Sequence, residues 1–191
     1  MTKNLKIALI SLAVLVGIYF LIQRGQLQYS SQSAQLFTVE ADDVNRFLIQ
    51  NKTDAIELTR QDSTWAISGN DSLVIKLRSI DNFLDKVLLV ETGTLVSKNP
   101  EKWSKYSVSD STGTHLALIN IDGDTMEYAV FGRSKSDYAR NYVRTHKDPQ
   151  VYLTNESILH YLSTSPTYWG EEPKLEPEEP PESPIEDVII E

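Results

Sequence analysis

Hydrophobic and polar positions divide the chain into four stretches. Residues 7–22 run for sixteen positions without a charge. No face of a helix drawn through them is polar, so they read as an apolar span and not as an amphipathic core helix. With Leu5 and Lys6 the stretch reaches eighteen residues. A helix of that length extends about 27 Å, close to the roughly 30 Å hydrocarbon core of a bilayer. Lys3 and Lys6 on one side and Arg24 on the other can snorkel to the interfaces, and Tyr19 and Phe20 lie near one of them. A cleaved signal peptide is the competing reading. The run is slightly long for one, and no small-x-small site follows it at Gln23-Arg24-Gly25. Two lysines and the amino terminus precede the span and one arginine follows it. The positive-inside rule then predicts a cytoplasmic N-terminus and a folded body outside the cytoplasm, anchored in the inner membrane by residues 5–23.

Residues 25–36 are polar, uncharged and poor in β-branched side chains, the pattern of a spacer. The body, residues 37–170, alternates. Residues 44–50 read as a strand, and 55–60 alternate with Ile56 and Leu58 on one side and Glu57 and Thr59 on the other. Residues 64–68 make a third strand with Trp65 and Ile67 on one face. A helix follows, with Leu73, Leu77, Ile80, Leu84, Val87 and Leu88 along one face. Strands are then expected at 90–97, 115–121, 126–132, 139–145 and 151–154. Asp122-Gly123 marks a hairpin turn between two of them. Asn99-Pro100 opens a short helical turn over 101–106, and Asn155 caps a last helix over 156–162. The expected fold is α+β: one N-terminal transmembrane helix, then a largely antiparallel sheet of about seven strands with two or three helices.

Charge sharpens the fourth stretch. The formal net charge is −9, with 27 acidic and 18 basic residues. Residues 171–191 alone hold eight Glu, one Asp and one Lys, with five of the eight prolines. The other 170 residues are nearly neutral, at net −1. An acidic Pro/Glu-rich tail of this kind cannot bury enough surface to fold alone. Its Val188-Ile189-Ile190 end could add a strand to a sheet edge, and its charge could meet a basic stripe on the body. The balance excludes a nucleic-acid partner, which needs clustered cations. The absence of cysteine excludes disulfides, thiol nucleophiles and cysteine zinc sites.

Chemical motifs are sparse. His115, His146 and His160 have no metal-binding spacing and read as surface or strand residues. Residues 132–136 fit neither a nucleophile elbow nor a phosphate loop. Asn120-x-Asp122-Gly123-Asp124 lacks the glycine and glutamate positions of a calcium loop. No cofactor or metal is expected. Trp65 and Trp103 read as core. One stretch rises above this background: residues 133–147 carry Arg133, Lys135, Arg140, Arg144, His146 and Lys147. If 139–145 is a strand, Arg140, Tyr142 and Arg144 share a face at period two. With Arg133 they form a candidate site for an anion, a glycan or an acidic protein partner. The alternative is a solvated face paired with Glu127 and Asp137.

The pattern resembles domain-of-unknown-function family 4340 of bacterial envelope proteins. The residues that carry it are ADDVNRFLI, IELTRQDSTWAI with Leu58, Arg60, Trp65 and Ile67, SIDNFLDKVLLV, and FGRSKSDYARNYVR with DPQVYLT, over about residues 39–161. The family has no established activity. Its members are often encoded beside gliding-motility-type ABC transporter components, so the resemblance implies an accessory role. The expected function is therefore a membrane-anchored extracytoplasmic interaction module, not an enzyme, with an envelope protein such as a transporter component as partner. An envelope hydrolase with a carboxylate-based site is the alternative.

Overall fold

A computed structural model describes Leu12, residues 14–19 and residues 33–173, apart from Ser63 and Lys147. The strands are Ala34–Gln35 (β1), Arg46–Gln50 (β2), Ala55–Gln61 (β3), Thr64–Ile67 (β4), Val74–Ile75 (β5), Glu91–Ser97 (β6), Thr114–Ile119 (β7), Thr125–Arg133 (β8), Asn141–Thr145 (β9), Val151–Thr154 (β10) and Gly170–Glu171 (β11). A nine-stranded sheet has the order β1-β6-β10-β9-β8-β7-β2-β3-β4, and β5 pairs separately with β11. Every pairing is antiparallel. Two meanders, β2-β3-β4 and β7-β8-β9-β10, meet where β2 pairs with β7. There Phe47 lies opposite Leu118 and Ile49 opposite Leu116.

Helix is scarce. Leu77–Asn82 (α1) continues as a π-helical turn, Phe83–Val87, and Pro166–Trp169 (α2) is one turn long. Short 3₁₀ turns occupy Pro100–Lys102, Ser104–Tyr106 and Leu159–Tyr161. The fold is therefore mostly sheet, which corrects the α+β expectation of about seven strands with two or three helices. The expected transmembrane helix is not found among the described residues either. Residues 14–19 are helical, with Leu15 and Tyr19 exposed, but among the described residues no helix is long and apolar enough to cross a membrane. The rest of the apolar span and the tail beyond Pro173 lie outside the described residues.

Three local reasons account for the difference in the body. Leu73 to Ile75 carries helix-like spacing, yet Val74 and Ile75 pair with Glu171 and Gly170, some hundred residues away in the chain. At 156–162 the apolar spacing is met without an α-helix. The Asn141 side chain accepts from the Ile158 and Leu159 amides at 2.7 and 3.2 Å, and Asn155, expected as a cap, instead accepts from the Glu91 amide. Ala34 and Gln35, inside the expected spacer, pair with Thr92 and Glu91, and Leu36 is buried.

The front face of the sheet holds the main core. Phe47, Ile49, Leu58, Leu116, Leu118 and Phe131 are fully buried there under α1, its π turn and α2. Phe47 stacks on Phe83 at 4.0 Å between ring centroids and 18° between planes, and meets Trp65 and Trp169 at 5.1 and 5.3 Å. Trp169 closes the ring on Phe83 at 5.9 Å, nearly edge-on, and donates Nε1 to the Ser163 carbonyl. Such offset and edge contacts add about 0.5–1.5 kcal/mol per pair beyond area burial. The helix face is shifted from the expected one: Phe83 is buried, whereas Leu77 is 62% exposed.

Phe83→Ala should lower unfolding stability by about 3–5 kcal/mol, the usual cost of emptying an aromatic core site. Leu77→Ala should change it by no more than about 0.5 kcal/mol. Urea denaturation of the two variants checks the face assignment. Tyr152 offers a pH test. Burial, and then its 2.7 Å hydrogen bond to Asp148 Oδ2, push its phenol up to about 12. The phenol keeps its proton longer in the folded than in the unfolded chain. Its contribution is therefore complete below the ordinary value near 10 and disappears as pH rises through about 12. Tyr152→Phe should flatten the alkaline limb of a stability–pH curve over that window and leave the neutral region's slope unchanged.

Candidate functional site

The rear face is where polar chemistry gathers. Alternation that sends Leu116, Leu118, Ala129 and Phe131 to the front turns His115, Ala117, Tyr128, Tyr142 and Arg144 to the rear. Residues 99–112 cross over part of this face. Asn99 starts the crossing by accepting from the Glu101 amide at 2.9 Å, with Pro100 at the first helical position. Ser107 ends the Ser104–Tyr106 turn in a left-handed conformation, φ 56°. The crossing backbone comes so close that a Cβ on Gly132 would lie 2.2 Å from the Tyr106 carbonyl oxygen and 2.6 Å from that of Ser107. Beneath the segment Val108, Val130 and Val151 form a second small core, flanked by Trp103, Tyr106 and Tyr142.

Arg144 anchors the crossing. Its side chain is 7% exposed, and a buried guanidinium must be paired and hydrogen-bonded. Nε donates to the Val108 carbonyl at 2.6 Å, Nη2 pairs with the exposed Asp110 carboxylate, and the guanidinium carbon lies 4.0 Å above the Trp103 ring. Trp103 is itself fixed by its Nε1 bond to the Pro149 carbonyl at 2.9 Å. His115 makes a second tie. Its Nε2 is 3.1 Å from the Asp110 carbonyl oxygen, which can only accept, so that nitrogen carries the proton. Nδ1 then accepts from the Tyr128 hydroxyl. Burial raises the Tyr128 phenol, Arg144 opposes this and Asp110 adds to it. The phenol accordingly stays a donor, and the His115 lone pair is occupied in a structural clamp.

Beside this network lies an open cleft of about 800 Å³, bordered by Trp103, Asp110, Ala117, Tyr128, Arg144 and His146. The His146 ring meets Tyr128 edge-on at 6.3 Å and is exposed at the rim. The cleft offers aromatic faces and a fixed polar floor. Among the described residues no group of three or more His, Cys, Asp or Glu is placed to hold a metal ion.

The four residues expected to act together are divided. Arg144 belongs to the rear cleft. Tyr142 packs edge-on against Tyr106 at 5.0 Å. Arg140 precedes β9, so the period-two pattern does not extend to it, and its Nε pairs with Asp137 Oδ2 at 2.6 Å. Arg133 and Arg140 border a separate cleft of about 260 Å³. Glu127, expected opposite the stripe, is buried and accepts from Thr38 at 3.0 Å. Lys147 lies outside the described residues. Trp103, Asp110, His115 and Tyr128 were not foreseen as site residues. The hairpin turn carried one usable signal. Its register sets His115 opposite Val130 and Ala117 opposite Tyr128, which makes His115 and Tyr128 diagonal neighbours on one face.

Arg144→Ala should destabilise the fold by about 2–4 kcal/mol, because it leaves the Val108 carbonyl and the Trp103 face without their partner. Asp110→Ala takes the carboxylate from the buried guanidinium but leaves it the Val108 carbonyl and the Trp103 ring, so it should cost less, about 1–2 kcal/mol. Comparable losses for the two variants in urea denaturation would contradict this division of roles.

Comparison with known proteins adds one finding. No curated protein and no solved structure matches the chain. One family model matches residues 65–179, more than half of the chain. The match begins at Trp65, so the 39–64 part of the resemblance noted in the sequence lies outside it, while both clefts are bordered mainly by residues inside it. On that match the chain belongs to the family described as Domain of unknown function (DUF4340).

Proposed function

We propose that this protein is a membrane-anchored accessory module of a cell-envelope assembly, with its folded body outside the cytoplasm, and that the rear cleft is its partner-binding surface. The observation that carries the reading is the Arg144 network. A buried guanidinium clamps residues 99–112 to the sheet through Val108, Asp110 and Trp103, and the open cleft lies directly beside that clamp. A preorganised polar and aromatic floor lowers the ordering cost of binding, which is the quality expected of a docking surface. Anchoring and orientation rest on the sequence, namely the uncharged run of residues 7–22 and the excess of lysine before it. A transporter component as the partner rests on the envelope setting that the family resemblance implies.

A photo-crosslinking side chain in place of His146, at the cleft rim, tests the surface in the full chain within its own membranes. The expected result is one discrete adduct whose partner is a subunit of a membrane complex. The same probe in place of Asp122, at the tip of the β7–β8 hairpin, should not form it. Identical products from both positions would overturn the assignment of the cleft. Protease treatment of intact spheroplasts should digest the body; full protection would overturn its placement outside the cytoplasm.

A further inference from the structure

The smaller cleft has a chemistry of its own. Three separate segments build it: the end of β8 supplies Arg133, the entry to β9 supplies Arg140 and Asn141, and the turn after β10 supplies Ser157 and His160. Its volume is about 260 Å³, and among the described residues no carboxylate side chain borders it.

The polar side chains that border this space can all donate. Arg133 is exposed and makes no ion pair among the described residues. Arg140 gives Nε to Asp137, whose carboxyl is held below its usual range by that bond and by the Ala139 amide. The planar guanidinium keeps its Nη donors beyond that bond. Asn141 is 2% exposed, and its Oδ1 accepts from both the Ile158 and Leu159 amides. Two N–H donors on one atom identify that atom as the oxygen, so what the Asn141 side chain has left to offer is its donor end. The His160 ring is set against Tyr161 at 3.8 Å between centroids. The Ser134 hydroxyl, fully buried, accepts from the Asp137 amide at 3.1 Å and holds the 134–140 turn that presents Arg140.

We propose that Arg133, Arg140, Asn141, Ser157 and His160 form a binding site for a phosphate group, free or esterified. Two guanidiniums, a carboxamide, a hydroxyl and an imidazole approach from three segments. A tetrahedral oxyanion can accept from donors in that many directions, whereas a carboxylate presents two oxygens in one plane. The volume, about 260 Å³, holds such a group together with part of what it is attached to. The exposed Tyr138 and half-buried Leu159 at the border would contact whatever the phosphate is attached to. The site is separate from the rear cleft and does not depend on the accessory-module reading.

The test is calorimetric titration of the full chain in a neutral detergent, at matched ionic strength, with three probes. These are inorganic phosphate, dihexanoyl phosphatidylglycerol and, as the zwitterionic control, dihexanoyl phosphatidylcholine. Saturable binding of phosphate or of the glycerol lipid is expected, weakened about tenfold or more by Arg133→Gln, the loss of one charge-assisted contact. Arg133 is exposed, so that variant should keep its fold, which circular dichroism checks. Arg140→Gln is the second variant and should weaken binding in the same direction. Binding of inorganic phosphate identifies a soluble phosphate or phosphoester as ligand; binding confined to the glycerol lipid identifies a headgroup. No saturable binding of either probe, equal binding of the zwitterionic control, or binding unchanged in both variants would overturn the proposal.

Discussion

Phe47 is the point on which the fold turns. It lies on the central pairing between the two meanders, and its ring contacts Phe83 from the π turn, Trp65 from β4 and Trp169 from α2. A nine-stranded sheet has a wide front face to cover, and the helical layer available for it is short. Large rings resolve this mismatch, because each removes much apolar area from water for few residues. The chain also uses the cluster to draw its C-terminal side back. Trp169 enters the core, and β11 beyond it pairs with β5 ahead of α1.

The rear face follows from the same constraint with less material. One crossing segment covers part of it, and two features permit the crossing. Gly132 has no side chain where the backbone passes over β8, and Arg144 replaces a hydrophobic contact with a hydrogen-bonded, ring-stacked cation. The part of the face left uncovered is the larger cleft. The smaller cleft has a different origin, in the loops that leave β8, enter β9 and follow β10. At the larger cleft, structural rigidity and exposed chemistry therefore sit side by side, fixed by side chains that serve the fold.

Much of the strand layout was legible because alternation is a local property. Residues 55–60, 64–68 and 151–154 became β3, β4 and β10 with the expected buried side chains, among them Ile56, Leu58, Trp65 and Ile67. The hairpin at Asp122-Gly123 formed, with Gly123 at φ 90°, a conformation open to glycine. Helices were legible only in part. Apolar spacing of three and four marked residues 73–88 and 156–162, but spacing does not say whether a strand partner or a side-chain acceptor will capture the amides first. Val74 and Ile75 found Glu171 and Gly170, and the Ile158 and Leu159 amides found Asn141. The candidate site was half visible. Arg133, Arg140 and Arg144 stand out as charges, but the grouping of Arg140 with Tyr142 and Arg144 on one strand assumed that the strand began before Arg140.

Within the body, the sequence by itself determined which residues alternate, where chains turn and which cations are available, because each depends on neighbours a few positions apart. It also determined the near-neutral charge of residues 1–170 and the concentration of negative charge after residue 170. Only the tertiary structure decided that Arg144 would be buried against Trp103 and Asp110, while Arg133 and Arg140 would meet Asn141, Ser157 and His160. The physical reason is that a buried cation takes whichever acceptors and ring faces the packed layers bring within reach. Those partners come from segments tens of residues apart, and only the register of the sheet and the path of the crossing segment set their distances.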